Sequence, residues 1–350
     1  MKRLLAVFLL VAMVLSLTSA VALAKARVGV AMPTQSLQRW NQDGANMKAK
    51  FEAAGYEVDL QYANNDVALQ ISQIENMILN GADILVIASI DGSSLGTVLA
   101  VAKDEGIPVI AYDRLIMETD AVSYYATFDN YMVGTIQGEY LEKALGLETL
   151  DGTVNIEIVG GSPDDNNARY FYQGAYDVIA PYIESGKVIV PSGQIAFEQI
   201  ATPAWSSERA QARMDNLIAA HYSSGRKLDA VLCSNDSTAL GVTNSLVGAG
   251  FEDFPIITGQ DCDIANVKNI IAGRQSMSIF KDTRTLAAKV VGMVEAIMSG
   301  SEPEINDTTT YHNGVRVIPT YLCAPVFADI NNYKELLIDS GYYTPEQLAN

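Results

Sequence analysis

The residues of this sequence best suited to chemistry fall directly after its short apolar runs. Arg39 and Trp40 follow the first run, Asp91 the third, and Asp113 and Arg114 the fourth. Farther along come Asp164, Asp165, Asn166 and Asn167, then Asn235 and Asp236, then Asp261, then Lys281, with Trp205 in the loop after residues 188–190. If the runs are parallel strands, a ligand sits beyond their carboxyl ends and these side chains converge on it. Carboxylates, amides and a few cations accept and donate hydrogen bonds, while two indole rings offer apolar faces. That mixture suits a polyhydroxylated ring, with indole stacked on its C–H face and charged groups holding its hydroxyls. A buried carboxylate deprived of its hydroxyl partner costs about 1–3 kcal/mol, so such a site distinguishes epimers one hydroxyl at a time. Taken singly, Asp91, Asp164 and Asp236 read equally well as turn formers or helix N-caps, and either tryptophan as core. The recurrence of these types in both halves of the chain, with Arg114 and Lys281 among them, favours a site.

A scaffold has to hold those positions, and the apolar pattern describes one. Residues 28–32, a helix around 46–54 and a strand at 58–62 set the β-α-β rhythm of a parallel sheet. Val67, Ile71, Ile74 and Ile78 share one helical face, and that helix ends at Asn80-Gly81. The unbroken apolar run 84–88 belongs to a sheet covered on both sides. A helix at 95–103 and strands at 109–112 and 122–127 complete one lobe. From about Tyr131 a second series begins, with strands at 154–159, 188–190, 230–233, 255–258 and 277–280 and helices at 168–183, 208–222, 238–248 and 264–272 between and around them. A helix at 283–299, a turn-rich stretch at 300–314 and a strand at 315–322 follow. The sequence therefore predicts an α/β protein of two doubly wound, Rossmann-like parallel-sheet lobes joined by a multi-strand hinge. Residues 25–129 with about 283–315 make the N-terminal lobe, and 130–282 with about 316–350 the C-terminal one. A ligand caught between such lobes biases their open and closed arrangements.

Composition narrows the function classes. Residues 1–24 have the layout of a secretory signal peptide: Met1-Lys2-Arg3, an apolar run to Leu17, and small residues ending at Ala22-Leu23-Ala24. The run falls short of the roughly 20 apolar residues of a membrane-spanning helix. We expect cleavage after about Ala24 and a mature chain outside the cytoplasm, with no nearby cysteine for a lipid anchor. The formal net charge of −18 argues against nucleic acid and against an anionic membrane surface. Cys233, Cys262 and Cys323 are too widely and irregularly spaced for a metal or redox motif; one bridge with a free thiol, or three buried thiols, both fit. With two histidines in the chain, no His-centred metal site is expected.

Several longer motifs are more specific: Ile110-Ala111-Tyr112-Asp113-Arg114-Leu115-Ile116, Thr127-Phe128-Asp129-Asn130, Gly160-Gly161-Ser162-Pro163-Asp164-Asp165-Asn166-Asn167-Ala168, Ser234-Asn235-Asp236 and Thr258-Gly259-Gln260-Asp261. Together they closely resemble the periplasmic sugar-binding proteins of bacterial ABC importers, type I periplasmic binding proteins, in the D-xylose-binding and multiple-sugar-binding branch. The resemblance spans the mature chain. It implies that Arg39, Asp113, Arg114, Asn167, Asn235, Asp261 and Lys281 hydrogen-bond a monosaccharide of the xylose, arabinose, glucose or galactose type, with Trp40 and Trp205 stacking on it and Asp91 and Asn166 nearby. It further implies a monomer with no cofactor, partnered by an ABC permease and in some cases by a chemoreceptor or sensor kinase. Arg169 and Tyr170 depart from the more apolar residues that this branch implies for the second-lobe wall.

Two other classes fit less well. Paired carboxylates are the machinery of glycoside hydrolysis, yet here cations beside most carboxylates are expected to keep them ionised rather than raise an acid's pKa. Neither a nucleophile elbow, a P-loop nor GxGxxG after the first strand is present. A sugar-responsive repressor needs a basic helix-turn-helix at its N-terminus, where this chain has an export signal.

Overall fold

The computed structural model of the protein describes residues 25–349; the expected signal peptide lies outside the described residues. Strand β1 (Arg27–Met32) pairs in parallel with β2 (Glu57–Tyr62) and β3 (Ile84–Ile87). With β4 (Val109–Tyr112), β5 (Val122–Phe128) and β11 (Thr320–Cys323) they form an all-parallel sheet of order β11-β5-β4-β3-β1-β2. Every residue of β3 and β4 is buried because helices cover both faces. On one face Val28, Val30 and Ile110 pack against Met47 and Phe51 of the Gln38–Ala53 helix and Leu286, Val290 and Val294 of the Thr283–Met298 helix. On the other, Leu85, Ile87 and Val109 meet Ile74 and Met77 of the Val67–Leu79 helix and Leu99 of the Gly96–Asp104 helix.

The second lobe repeats the plan. Strands β6 (Val154–Val159), β7 (Val188–Ile189), β8 (Ala230–Cys233) and β9 (Ile256–Ile257) form a parallel sheet of order β7-β6-β8-β9. A bridge from Gln260 to Ile279 continues it to β10 (Met277–Phe280), which pairs antiparallel with β12 (Val326–Asp329). The α/β class and paired parallel sheets match expectation; the antiparallel final strand was not foreseen.

Three boundaries differ from the sequence reading. The first helix starts at Gln38 rather than near 46, because buried Arg39 and Asp43 occupy inward positions and interrupt the apolar period. The helix expected over 208–222 is α-helical from Ser207 to Leu217 and continues as a π-type turn over Ile218–Tyr222. The last return to the second lobe comes after Cys323, not at about 315. Thr320 to Cys323 lie in register with Tyr125 to Phe128 of the first sheet. Tyr311 and Ile318 sit in the first lobe's core, and Asn313 donates to the carbonyls of Ile116 and Thr119. The chain thus changes lobes three times, after β5, after β10 and between β11 and β12.

The three cysteines are buried free thiols, the second of the two readings. Among the described residues no helix is long and apolar enough to cross a membrane, and no cluster of three or more His, Cys, Asp or Glu is placed to hold a metal ion.

Candidate functional site

Where the carboxyl ends of the two sheets face each other lies a small cavity of about 30 Å³. The first lobe contributes Leu37, Arg39, Trp40, Asp113 and Arg114; the second contributes Asp165, Phe171, Trp205, Asn235, Gln260, Asp261, Asp263 and Lys281. Nine of the candidates read from the sequence therefore line one cavity: Arg39, Trp40, Asp113, Arg114, Asp165, Trp205, Asn235, Asp261 and Lys281.

The first helix supplies the central cation. One turn apart, Arg39 Nε and Asp43 pair at 3.0 Å, Arg39 also pairs with Asp113, and its Nη1 reaches Asp261 across the cleft at 3.4 Å. Lys281 Nζ lies 3.1 Å from Asp261 and 4.0 Å from Asp113, so both lobes share each charge. Arg114 is clamped by Asp165 of the second lobe at 3.0 Å and by the carbonyls of Ser89 and Ile90. The guanidinium carbons of Arg39 and Arg114 lie 4.9 and 5.1 Å from the Trp40 ring centre. A planar, permanently charged fork is what Arg brings to such multidentate contacts.

Backbone strain marks the same positions. Asp113, Trp205 and Asp261 all have left-handed φ, at 58°, 55° and 101°, a conformation that costs a non-glycine residue of order 1–3 kcal/mol and gathers at ligand sites. The Asp113 carbonyl is held by Tyr125, Thr127 and Asn167 at 2.5, 2.9 and 2.5 Å. Trp205 lies edge-on to Phe171 with ring centres 6.2 Å apart. Gly161, just beyond β6, leaves room for the indole: a Cβ there would stand 2.1 Å from the ring. Three buried polar atoms in the lining have no protein partner: Trp205 Nε1, Gln260 Oε1 and Asp263 Oδ1. Since buried polar groups are nearly always satisfied, these point to a polar occupant.

Five candidates stand outside the cavity: Asp91, Asn166 and Asn167, which the resemblance placed at the site, and Asp164 and Asp236. Asp91 caps its own turn, accepting from the Ser93 amide at 2.8 Å, the alternative reading given above. Asn166 opens the Asn166–Glu184 helix and is half-buried beside the cavity. Asn167 lies behind the wall, where it ties that helix to the Asp113 carbonyl and accepts from Tyr125 Oη at 2.9 Å. Leu37, Phe171, Gln260 and Asp263 were missed as lining residues. Gln260 precedes Asp261 and Asp263 lies two residues beyond it, so loop adjacency was the available signal for these two. Arg169 faces outward to Glu198, and Tyr170 packs on Tyr311 with its hydroxyl donating to the Thr310 carbonyl; neither shapes the cavity.

The charge states are mixed. Burial alone would raise the Asp113 carboxyl, but Arg39 and Lys281 outweigh it and hold it below the usual range. At Asp165 burial prevails over Arg114 and the carboxyl is raised. Burial likewise lifts Asp43 to about 6 and Asp263 to about 7, and raises Asp236 strongly. The neighbouring cations thus hold the Asp113 carboxyl low, as expected, whereas at Asp43 and Asp165 burial raises the carboxyl despite Arg39 and Arg114. Asp236 lies beneath the cavity floor, where it accepts from Ser278, Gln275 and the Asp263 amide at 2.8, 3.0 and 2.8 Å.

Two α/β lobes, three crossings and a polar cavity with aromatic walls between them define a two-lobed solute-binding protein. Residues 28–302 match the family described as periplasmic binding protein domain, and the chain belongs to that family, one of binding proteins rather than enzymes. It is 50% identical over 327 residues to a multiple sugar-binding periplasmic protein of Azospirillum brasilense (92% of this chain, 91% of the relative). Over 335 residues it is 37% identical to the D-xylose-binding periplasmic protein of Escherichia coli strain K12 (95% and 96%). Among solved structures, an ABC transporter solute-binding protein from Clostridium phytofermentans with bound β-D-glucose superposes with TM-score 0.91 at 67% identity, covering 92% of this chain and all (100%) of that one.

Proposed function

We propose that this chain captures a monosaccharide of the glucose and xylose type in the cavity between its lobes and delivers it, unchanged, to an ABC importer. The observation that carries the reading is the cavity wall itself: Trp40 and Trp205 beside a ring of paired charges, with buried donor and acceptor atoms left for a ligand. The indoles pack on the sugar's C–H faces, while Arg39, Asp113, Arg114, Asn235, Asp261 and Lys281 hold its hydroxyls. Asp165, fixed against Arg114, joins them. Asn167 acts at one remove by orienting Asp113. Closure works because the ligand adds contacts from both lobes at once and so favours the arrangement in which both are present.

The glucose-bound structure at 67% identity and the D-xylose-binding relative support the sugar class. The mature protein acts outside the cytoplasm as a monomer, after residues 1–24 are removed. A second role, as receptor for a membrane sensor, draws support from a 51% identical relative of Rhizobium radiobacter named a multiple sugar-binding periplasmic receptor; the same closed form would serve both. A thermal-shift panel of glucose, xylose, arabinose, galactose, ribose and a disaccharide tests the proposal, since a ligand specific for the folded state raises the melting temperature. Stabilisation by one or more of the monosaccharides supports it; an unchanged melting temperature across the panel, on protein stripped of endogenous ligand, refutes it.

A further inference from the structure

Asp263 opens the Ile264–Ile271 helix, and its side chain makes no capping bond there. An aspartate at that position ordinarily accepts from an amide of the first turn, an interaction worth about 1 kcal/mol. Here the carboxyl turns instead into the cavity lining, with Oδ1 buried and unpartnered. The backbone is fixed from below, the Asp263 amide donating to Asp236 at 2.8 Å, so the diversion is built into the loop.

We propose that Asp263 is a further specificity-determining residue of the cavity, accepting a hydrogen bond from one hydroxyl of the bound sugar and making affinity depend on pH. The proposal rests on the sugar-binding reading above. The charged and titratable groups facing Asp263 come from every packed element: Asp261 in its own loop, Asp236 beneath, Arg39 from the first helix, Lys281 beyond β10, and Tyr343 from the C-terminal segment. Burial, then Asp261, raise the carboxyl, while Arg39 and Lys281 lower it, and the balance leaves it at about 7. A sugar hydroxyl donating to Oδ1 favours the ionised form. Binding therefore lowers this pKa and releases a proton below neutrality, so affinity rises with pH across the window from about 5.5 to 8. Each pK unit of lowering corresponds to about a tenfold gain.

The test is calorimetric titration of the best-stabilising monosaccharide, and of the same sugar lacking one hydroxyl at a time, into the wild type, Asp263→Asn and Asp263→Ala at pH 5.5 and 8. A cooperative thermal unfolding transition of each ligand-free variant establishes that it folds. We expect the wild type to bind severalfold more tightly at pH 8, both variants to lose most of that difference, and one deoxysugar to lose affinity with the wild type but not with Asp263→Ala. The inference is overturned if wild-type affinity falls with pH, or if the variants keep the wild-type pH dependence and the same ranking of deoxysugars. A wild type that binds none of the sugars refutes the underlying reading instead.

Discussion

Arg39 stands among Asp43, Asp113 and Asp261, with the first two almost fully buried at 0% and 4% exposure. Removing one partner from a buried charge network leaves the others uncompensated, commonly at a cost of about 3–5 kcal/mol. Arg39→Met is therefore expected to destabilise the fold by that order in urea unfolding and to eliminate sugar binding. Arg39→Lys keeps the charge but not the planar fork, so it is expected to regain stability without regaining affinity. Equal affinity of Arg39→Lys and wild type would remove Arg39 from the site. At this scale the sequence was informative wherever a polar residue ends an apolar strand, as at Asp113-Arg114, Asn235 and Lys281. It was less so at the helix entry: Asp165, Asn166 and Asn167 are consecutive, yet only Asp165, the extended N-cap, lines the cavity, while Asn167 is drawn to the Asp113 carbonyl.

The elements that aim these residues depend on close backbone contacts. The Asn130–Leu145 and Asn166–Glu184 helices meet through glycines: a Cβ on Gly134 would stand 2.0 Å from the Phe171 carbonyl oxygen, and one on Gly174 would stand 2.1 Å from that of Tyr131. Gly134→Ala is expected to push the helices apart, costing about 1–3 kcal/mol as overpacking does, and to weaken binding because the facing helix, which it would displace, carries Phe171. Denaturant unfolding and titration check both; wild-type stability would show that the helices do not pack as described. Nothing in the sequence announced this contact, since Gly134 and Gly174 lie in different helices and their proximity is tertiary. The strands were more legible, because a continuous run such as Ile84–Ile87 has few alternatives. The start of the first helix was hidden by its buried polar face, and the last lobe crossing by a strand too short to show its partner.

Across the whole molecule, burial has collected carboxyls that prefer to be protonated when folded: Asp43 at about 6, Asp263 at about 7, and Asp165 and Asp236 raised. A carboxyl raised above its unfolded value contributes stability that is complete below the unfolded pKa and is lost as pH rises through the folded one. The ligand-free protein is therefore expected to melt at a higher temperature near pH 5 than near pH 8. Below about pH 4 the trend reverses as Asp113, held low by Arg39 and Lys281, is protonated. Neutralising part of a net charge of −18 acts in the same direction above that point. A melting temperature that climbs steadily from pH 5 to 8 would contradict this ordering of the buried carboxyls.

The chain has two tryptophans, and both line the cavity, so intrinsic indole fluorescence reads the site with no background from elsewhere in the molecule. Titration of the mature protein with D-glucose and D-xylose, followed by recovery of the sugar, is the most direct test of capture between the lobes. We predict a saturable change in emission with at least one of them, lost in Trp205→Ala, and sugar recovered unaltered. An emission spectrum indifferent to both sugars, or sugar returned as a different compound, would contradict the account.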